Sequence, residues 1–135
     1  MVLCAVVIGL TSGVAPASAA PVDYAGVADL AHTQYEQGKP YVYGAAGPNS
    51  FDDSGLVKWC YAQFGVQLPR TTSSQYSFSR AIPLEQRRKG DLVFIGRSAV
   101  GIVYDDGDMV IALVDTMKVS LVTIPGNATF RTLRP

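Results

Sequence analysis

The ten residues from position 47 to position 56 read Gly-Pro-Asn-Ser-Phe-Asp-Asp-Ser-Gly-Leu. The first four are turn-forming residue types and predict an ordered loop. A helix is predicted from Asp53 or Ser54 to Gly65, and its broad apolar face consists of Leu56, Val57, Trp59, Cys60 and Phe64. Because few charges lie on its other side, we expect this helix to be central and mostly buried.

A second helix is predicted upstream, over residues 23–36. Its apolar positions recur at spacings of three and four, as on one face of an amphipathic helix; they are Tyr24, Val27, Ala28, Ala31 and Tyr35. Asp23 is placed to cap its start and Gly38 to end it. Downstream of the central helix, the polar residues 71–75 predict a further short helix.

After Gly90 and Asp91 the sequence changes to short runs rich in β-branched residues. These runs occupy residues 92–95, 100–104, 109–114 and 119–124. Closely spaced runs with turn residues between them predict an antiparallel meander. Helices followed by strands predict an α+β fold, with the helices packed on one face of an antiparallel sheet. The length of the chain suits one domain, residues 20–135.

The N-terminal residues 1–19 predict a signal peptide. Residues 2–10 form an apolar run, small residues follow over 15–20, and the first charged residue is Asp23. This pattern indicates cleavage near Ala19. The apolar run is too short to span a bilayer, so we expect a secreted chain with no membrane span after cleavage. A buried core helix is the alternative interpretation.

Composition excludes several classes of function. Eleven basic residues balance eleven acidic ones, which argues against binding to nucleic acid. After signal cleavage Cys60 is the one remaining cysteine, and His32 is the one histidine. A zinc site needs more Cys and His ligands than these, so we expect no metal and no cofactor.

Five ordered segments carry a family resemblance; they are residues 38–44, 47–56, 68–71, 90–94 and 100–102. In this order and spacing they resemble the NlpC/P60 family of bacterial cell-wall endopeptidases. The resemblance implies a papain-like α+β fold. It also implies a cysteine at the start of the central helix that attacks the peptidoglycan stem peptide, a histidine on the facing sheet that activates it, and a third polar residue that orients the histidine.

This sequence departs from the family pattern at all three catalytic positions. By resemblance, Asp53 stands where the nucleophile belongs, Ala99 where the base belongs and Ile111 where the orienting residue belongs. Asp53 suits the helix start as a cap, because a carboxylate accepts hydrogen bonds from free N–H groups there. Without a base beside it, it is a weak nucleophile toward an amide. We therefore predict no catalytic residues.

We expect no other residue to replace the three catalytic residues of the family pattern. Cys60 lies two helical turns after Asp53 and is expected to be a buried filler with a raised pKa. His32 precedes the motif and is expected to lie far from the facing strand. The pair Asp52 and Asp53 is expected to serve capping and structure, since adjacent residues at a helix start point apart.

Four residues are predicted to line or support a substrate groove by resemblance: Tyr41, Asp52, Ser54 and Arg70. The Tyr41 ring offers stacking area and a hydroxyl, and Arg70 offers a bidentate clamp for a stem-peptide carboxylate. The alternatives are core packing for Tyr41, capping for Asp52 and Ser54, and an ordinary ion pair for Arg70. The basic run Arg87, Arg88 and Lys89 is expected to be a solvated turn, with contact to anionic wall polymers as the alternative.

A retained scaffold with lost chemistry predicts a non-catalytic peptidoglycan-binding module in the cell wall. The alternative is a protein-interaction or regulatory role, in which the domain contacts another exported cell-wall protein. A residual hydrolase that uses Asp53 is the third hypothesis.

Overall fold

The computed structural model describes residues 21–135, so the predicted signal peptide, residues 1–19, lies outside the described residues. The first helix, α1, spans Tyr24–Glu36. Its N-cap is Asp23, whose side chain accepts a hydrogen bond from the Gly26 amide at 2.8 Å. Beyond its end, Gly38 has φ +66°, which favours glycine. The predicted bounds of this helix are confirmed.

The central helix, α2, spans Asp53–Ala62. The Asp52 side chain caps it by accepting a hydrogen bond from the Gly55 amide at 2.6 Å. The prediction that Asp53 caps this helix is therefore wrong, because Asp53 is already helical and its carboxylate points elsewhere. The buried side of α2 carries Leu56, Val57, Cys60 and Tyr61, which confirms the predicted central position.

The short helix predicted in the polar stretch is α3, Thr72–Phe78. Thr71 and Ser74 form a reciprocal capping box at its start. Inside α3, Gln75 is fully buried and donates hydrogen bonds to the carbonyls of Ser54 and Pro69. These bonds fix α3 against the first turn of α2.

Six strands form one antiparallel sheet in the order β1-β6-β2-β3-β4-β5. Their bounds are β1 Arg80–Ile82, β2 Leu92–Ile95, β3 Ala99–Val103, β4 Asp108–Leu113, β5 Lys118–Thr123 and β6 Thr129–Thr132. A 3-10 turn, Leu84–Gln86, follows β1. The predicted meander is confirmed for β2 to β5. Strands β1 and β6 were not predicted, and β6 lies between β1 and β2.

Strand alternation divides the buried side chains into two groups. One group packs against the helices, and its sheet residues include Val100, Ile102, Val110, Ala112 and Val119. The other group lies on the opposite face and includes Val93, Val103, Met109, Ile111 and Phe130. The α+β fold with helices on one face of the sheet is confirmed. Within residues 21–135, no helix has the length and apolar character needed to cross a bilayer.

Candidate functional site

An open groove lies where the N-terminus of α2 meets the segment before it, the start of α3 and the turn between β2 and β3. Its volume is about 470 Å³. The groove is lined by Tyr41, Tyr43, Gly44, Asp52, Asp53, Ser54, Arg70, Thr71, Thr72 and Ser98. The structure thus brings together all four residues predicted to line it. Their proximity comes from the fold, since Arg70 lies eighteen residues after Asp52.

A smaller pocket of about 190 Å³ adjoins the groove, and Tyr41 and Asp53 line both. Ala99 and Ile111 form part of its wall. We call it the side pocket. The three positions where the family pattern places its catalytic residues therefore share one cavity. The alanine and isoleucine side chains there carry no proton donor or acceptor.

The Asp53 carboxylate is hydrogen-bonded to two of the elements that contact α2, namely β3 and α3. Its Oδ2 accepts hydrogen bonds from the Val100 amide at 3.1 Å and from the Thr72 hydroxyl at 3.2 Å. Burial raises the pKa of Asp53, and the negative charge of Asp52 raises it further, against the opposing effect of the backbone amides. Asp53 therefore acts as a tether between α2, α3 and β3.

Asp52 and Arg70 form a bidentate ion pair at the edge of the groove. Arg70 donates from Nη1 to Asp52 Oδ1 at 3.1 Å and from Nη2 to Asp52 Oδ2 at 2.8 Å. Asp52 also accepts from the amides of Gly44 and Gly55. Burial opposes the ionised form of Asp52, but the hydrogen bonds from Arg70 and Gly55 outweigh it and lower its pKa. The same bonds raise the pKa of Arg70.

Arg70 forms the ion pair expected as its alternative role. The Nη1–Nη2 edge of the guanidinium faces Asp52, and Nη1 also donates to Ser54 Oγ at 2.9 Å. The role of Arg70 in binding a stem-peptide carboxylate stays a prediction. Ser54 and Asp52 are likewise held by this network, since Asp52 caps α2 while Ser54 accepts from Arg70. All three shape the groove wall.

Tyr41 lies half-buried between the groove and the side pocket. Its backbone amide donates to the Met117 carbonyl at 3.0 Å, which holds its loop beside the hairpin of β4 and β5. Burial raises the pKa of the Tyr41 hydroxyl, and the charges of Asp53 and Asp52 add to the effect. At neutral pH the hydroxyl is a neutral hydrogen-bonding group.

Cys60 and His32 lie away from the groove. Cys60 is fully buried, and burial raises the pKa of its thiol well above the ordinary value. The His32 ring stacks on the Tyr104 ring, with 4.3 Å between centroids, at the end of β3 opposite Ala99. The expectation that His32 lies far from this strand is therefore wrong, although His32 does not line the groove. Within residues 21–135, no group of three or more His, Cys, Asp or Glu side chains is arranged to hold a metal ion.

Tyr43, Thr72 and Ser98 also line the groove, and no local sequence pattern predicts this position for them. Thr72 belongs to the polar stretch predicted as a short helix, but nothing local indicates that its hydroxyl reaches Asp53. Ser98 follows Arg97 in the turn between β2 and β3, and only the pairing of these strands brings it to the groove.

Comparison with known proteins decides the family. Residues 38–131 match the sequence profile of the NlpC/P60 family. The chain belongs to the NlpC/P60 family. The predicted resemblance to the NlpC/P60 family is thereby confirmed. This match includes every groove residue and the positions of Ala99 and Ile111.

Individual relatives agree with this assignment. A probable endopeptidase of Corynebacterium glutamicum strain R is 38% identical over 101 residues, covering 73% of this chain and 48% of the relative. A probable endopeptidase p60 of Listeria innocua is 41% identical over 85 residues, covering 60% of this chain and 18% of the relative. This NlpC/P60 chain therefore spans about half or less of the length of these relatives.

A solved structure shares the fold. The peptidoglycan hydrolase RipB from Mycobacterium tuberculosis superimposes with a TM-score of 0.73 and 28% sequence identity, covering 81% of this chain and 63% of RipB. The NlpC/P60 arrangement of helices on an antiparallel sheet is thus common to both chains.

Proposed function

We propose that this NlpC/P60 chain is a non-catalytic module that binds peptidoglycan stem peptide through the groove. The observation that carries the proposal is the contrast within one site. The groove wall includes Tyr41 and the ion-paired Asp52 and Arg70, whereas the side pocket holds Asp53, Ala99 and Ile111 in place of reactive groups.

The absence of hydrolysis follows from the chemistry of the side pocket. Peptide cleavage by this family's route needs a thiolate, a base to activate it and an acid to protonate the leaving amine. Ala99 and Ile111 supply neither proton transfer nor orientation. One oxygen of the Asp53 carboxylate, Oδ2, accepts hydrogen bonds from the Val100 amide and the Thr72 hydroxyl, and no base in the described part of the chain lies beside the other. A residual hydrolase that uses Asp53 is therefore disfavoured.

Binding is supported by the shape and charge of the groove. The charges of Asp52 and Arg70 neutralise one another, so the net charge of the groove comes from the Asp53 carboxylate. An anionic Asp53 favours a peptide amine or amide N–H over a carboxylate. Peptidoglycan is the polymer acted on by RipB, which shares this fold, and a wall ligand agrees with the predicted secretion of the chain.

A second candidate function is binding to another exported cell-wall protein. It is favoured by exposed apolar side chains beside the groove. Tyr43 is 89% exposed, and Met117 and Val114 are each more than half exposed. The hydrogen bond from the Tyr41 amide to the Met117 carbonyl places their two loops side by side. Exposed aromatic and methionine side chains are enriched at protein interfaces.

The experiment that tests the groove is a titration of the chain with a soluble stem-peptide fragment, followed by NMR. We expect shifts centred on the amides of Ser54 and Val100. Tyr41→Ala removes the ring between the groove and the side pocket and should weaken binding about tenfold. Tyr104→Ala is the matched control, since Tyr104 is also half-buried but lies at the other end of β3.

Equal affinity for both variants, or shifts outside the groove, would refute groove binding. Binding of a purified wall protein, together with no response to the fragment, would favour the second candidate function.

A further inference from the structure

A second concave site lies at the other end of the sheet strands from the groove. At the groove end, Ile95 of β2 pairs with Ala99 of β3, and at the far end Leu92 pairs with Ile102. The second site is built around Asp91, the residue before β2, and has a volume of about 470 Å³. Its charged wall consists of Arg80, Glu85, Arg87, Arg88, Asp91 and Arg134. We call it the arginine pocket.

One charge pair in the arginine pocket is neutralised internally. Asp91 is 1% exposed, and its Oδ1 accepts from Arg134 Nε at 3.2 Å and from the Thr132 hydroxyl at 2.7 Å. Its Oδ2 accepts from the Arg88 amide at 2.8 Å. Asp91 thus holds Arg134 and the Arg88 backbone in position and contributes no free charge.

The remaining charges leave the pocket positive. The other charged side chains in the lining are those of Arg80, Arg87, Arg88 and Glu85, which carry three positive charges and one negative charge. Within the described part of the chain, none of these three arginines forms an ion pair. Like charges gathered in one concavity raise its potential and attract an anion.

Arg87 is held rigidly at the edge of this pocket. Its guanidinium donates to the carbonyls of Leu84 and Asp106 and lies over the Phe130 ring, 5.4 Å from the centroid. Its Nε is buried and has no hydrogen-bond partner among residues 21–135. These contacts turn the Arg87 guanidinium toward Asp106 and Phe130, which line a neighbouring pocket, so Arg87 adds positive charge to the arginine pocket. Arg80 and Arg88 are the exposed arginines that can contact an anion there directly.

We propose that the arginine pocket binds a phosphate-bearing ligand. Phosphate groups are negatively charged and present several strong acceptor oxygens. Guanidinium groups bind phosphate oxygens through paired N–H donors. The inference does not depend on the groove, because the two sites share no residue.

The test is an NMR titration of the chain with inorganic phosphate at low ionic strength. We expect shifts confined to the amides of residues 80–91 and 131–134. The double variant Arg80→Gln and Arg88→Gln should weaken binding about tenfold. Both side chains are exposed, so the variant is expected to fold normally. Arg97→Gln is the control, since it removes an exposed guanidinium outside the pocket.

A second titration, with poly(glycerol phosphate), distinguishes the source of the phosphate. Tighter binding of the polymer, lost in the double variant, identifies a phosphodiester wall polymer, whereas equal affinity per phosphate identifies free phosphate. Either result supports the pocket. Phosphate shifts spread over the whole surface, or unchanged binding in the double variant, would overturn it.

Discussion

Asp53 Oδ2 accepts a hydrogen bond from the Val100 amide at 3.1 Å, which ties the first residue of α2 to β3. In the family pattern this is where a nucleophile meets the strand that carries its base. In this chain the carboxylate at that position accepts a hydrogen bond that joins helix and sheet. Under the proposed function, this position is structural and not reactive.

The first prediction concerns the hydrogen-bond acceptor and the negative charge of the Asp53 side chain. Asp53→Ala removes the acceptor and leaves the Val100 amide and the Thr72 hydroxyl without their partner, so it should lower the free energy of unfolding by about 1–3 kcal/mol. Asp53→Asn keeps an acceptor oxygen and should be tolerated. Urea unfolding of both variants measures the difference. An alanine variant as stable as the asparagine variant would show that the tether contributes nothing.

The second prediction concerns the pH dependence of that comparison. Burial raises the pKa of Asp53 above its unfolded value of about 4. As pH rises through the interval between these values, the unfolded state releases a proton that the folded state retains, so the wild type loses stability. Asp53→Asn cannot titrate. The stability of this variant relative to wild type should therefore increase from pH 4 upward and then level off; a constant difference would contradict the raised pKa.

The third prediction concerns the Asp52–Arg70 pair. Arg70→Ala leaves the largely buried Asp52 without its cation and should cost about 2–3 kcal/mol near neutral pH. The pKa of Asp52 is lowered, so the stability from its ionised form is present above pH 4 and is lost as pH falls through the folded pKa. The variant and wild type should converge at low pH. Arg97→Ala is the control and should change stability by less than about 0.5 kcal/mol.

The sequence predicted the elements whose signal is local. The helices α1 and α2 have apolar residues at helical spacing, and β2 to β5 are β-branched runs separated by turns. Strands β1 and β6 are only three and four residues long and contain Arg80 and Arg131, so they lack an apolar run. They form because β6 pairs with partners 35 to 52 residues away, which no local pattern encodes.

The site likewise has features that the sequence predicted and features that it did not. Tyr41, Asp52, Ser54 and Arg70 were placed at the groove by family resemblance, and the structure brings them together. The sequence did not determine their hydrogen-bond partners. Asp52 and Asp53 are adjacent carboxylates with opposite pKa shifts, because one faces Arg70 and the other is buried against β3.

The fourth prediction concerns the close approach of the loop that contains Ala45 to the first turn of α2. A Cβ at Gly55 would overlap the Ala45 carbonyl oxygen, which belongs to backbone and cannot turn aside. Gly55→Ala should therefore displace the loop and destabilise the fold by about 1–3 kcal/mol or more. Gly107→Ala is the matched control, since a Cβ there would meet nothing within 4 Å. Thermal unfolding compares them, and equal melting temperatures would contradict the contact.

The fifth prediction concerns a variant in which the family's catalytic residues are reintroduced. The triple variant Asp53→Cys, Ala99→His and Ile111→His places all three family residues around the side pocket. We expect weak cleavage of stem peptide by this variant and none by any single substitution, because the members of a catalytic unit act together. Circular dichroism must confirm folding, since Ile111 is only 2% exposed. A folded triple variant without activity would show that the pocket does not admit the scissile bond.

The most direct test of the central claim is co-sedimentation of the chain with insoluble purified peptidoglycan, with mass spectrometry of the supernatant for released peptides. The account predicts that the chain is found in the pellet and that no stem peptide is released above the level of buffer alone. Release of stem peptide by the pure wild-type chain would contradict the loss of catalysis. A chain that stays in the supernatant would contradict peptidoglycan binding.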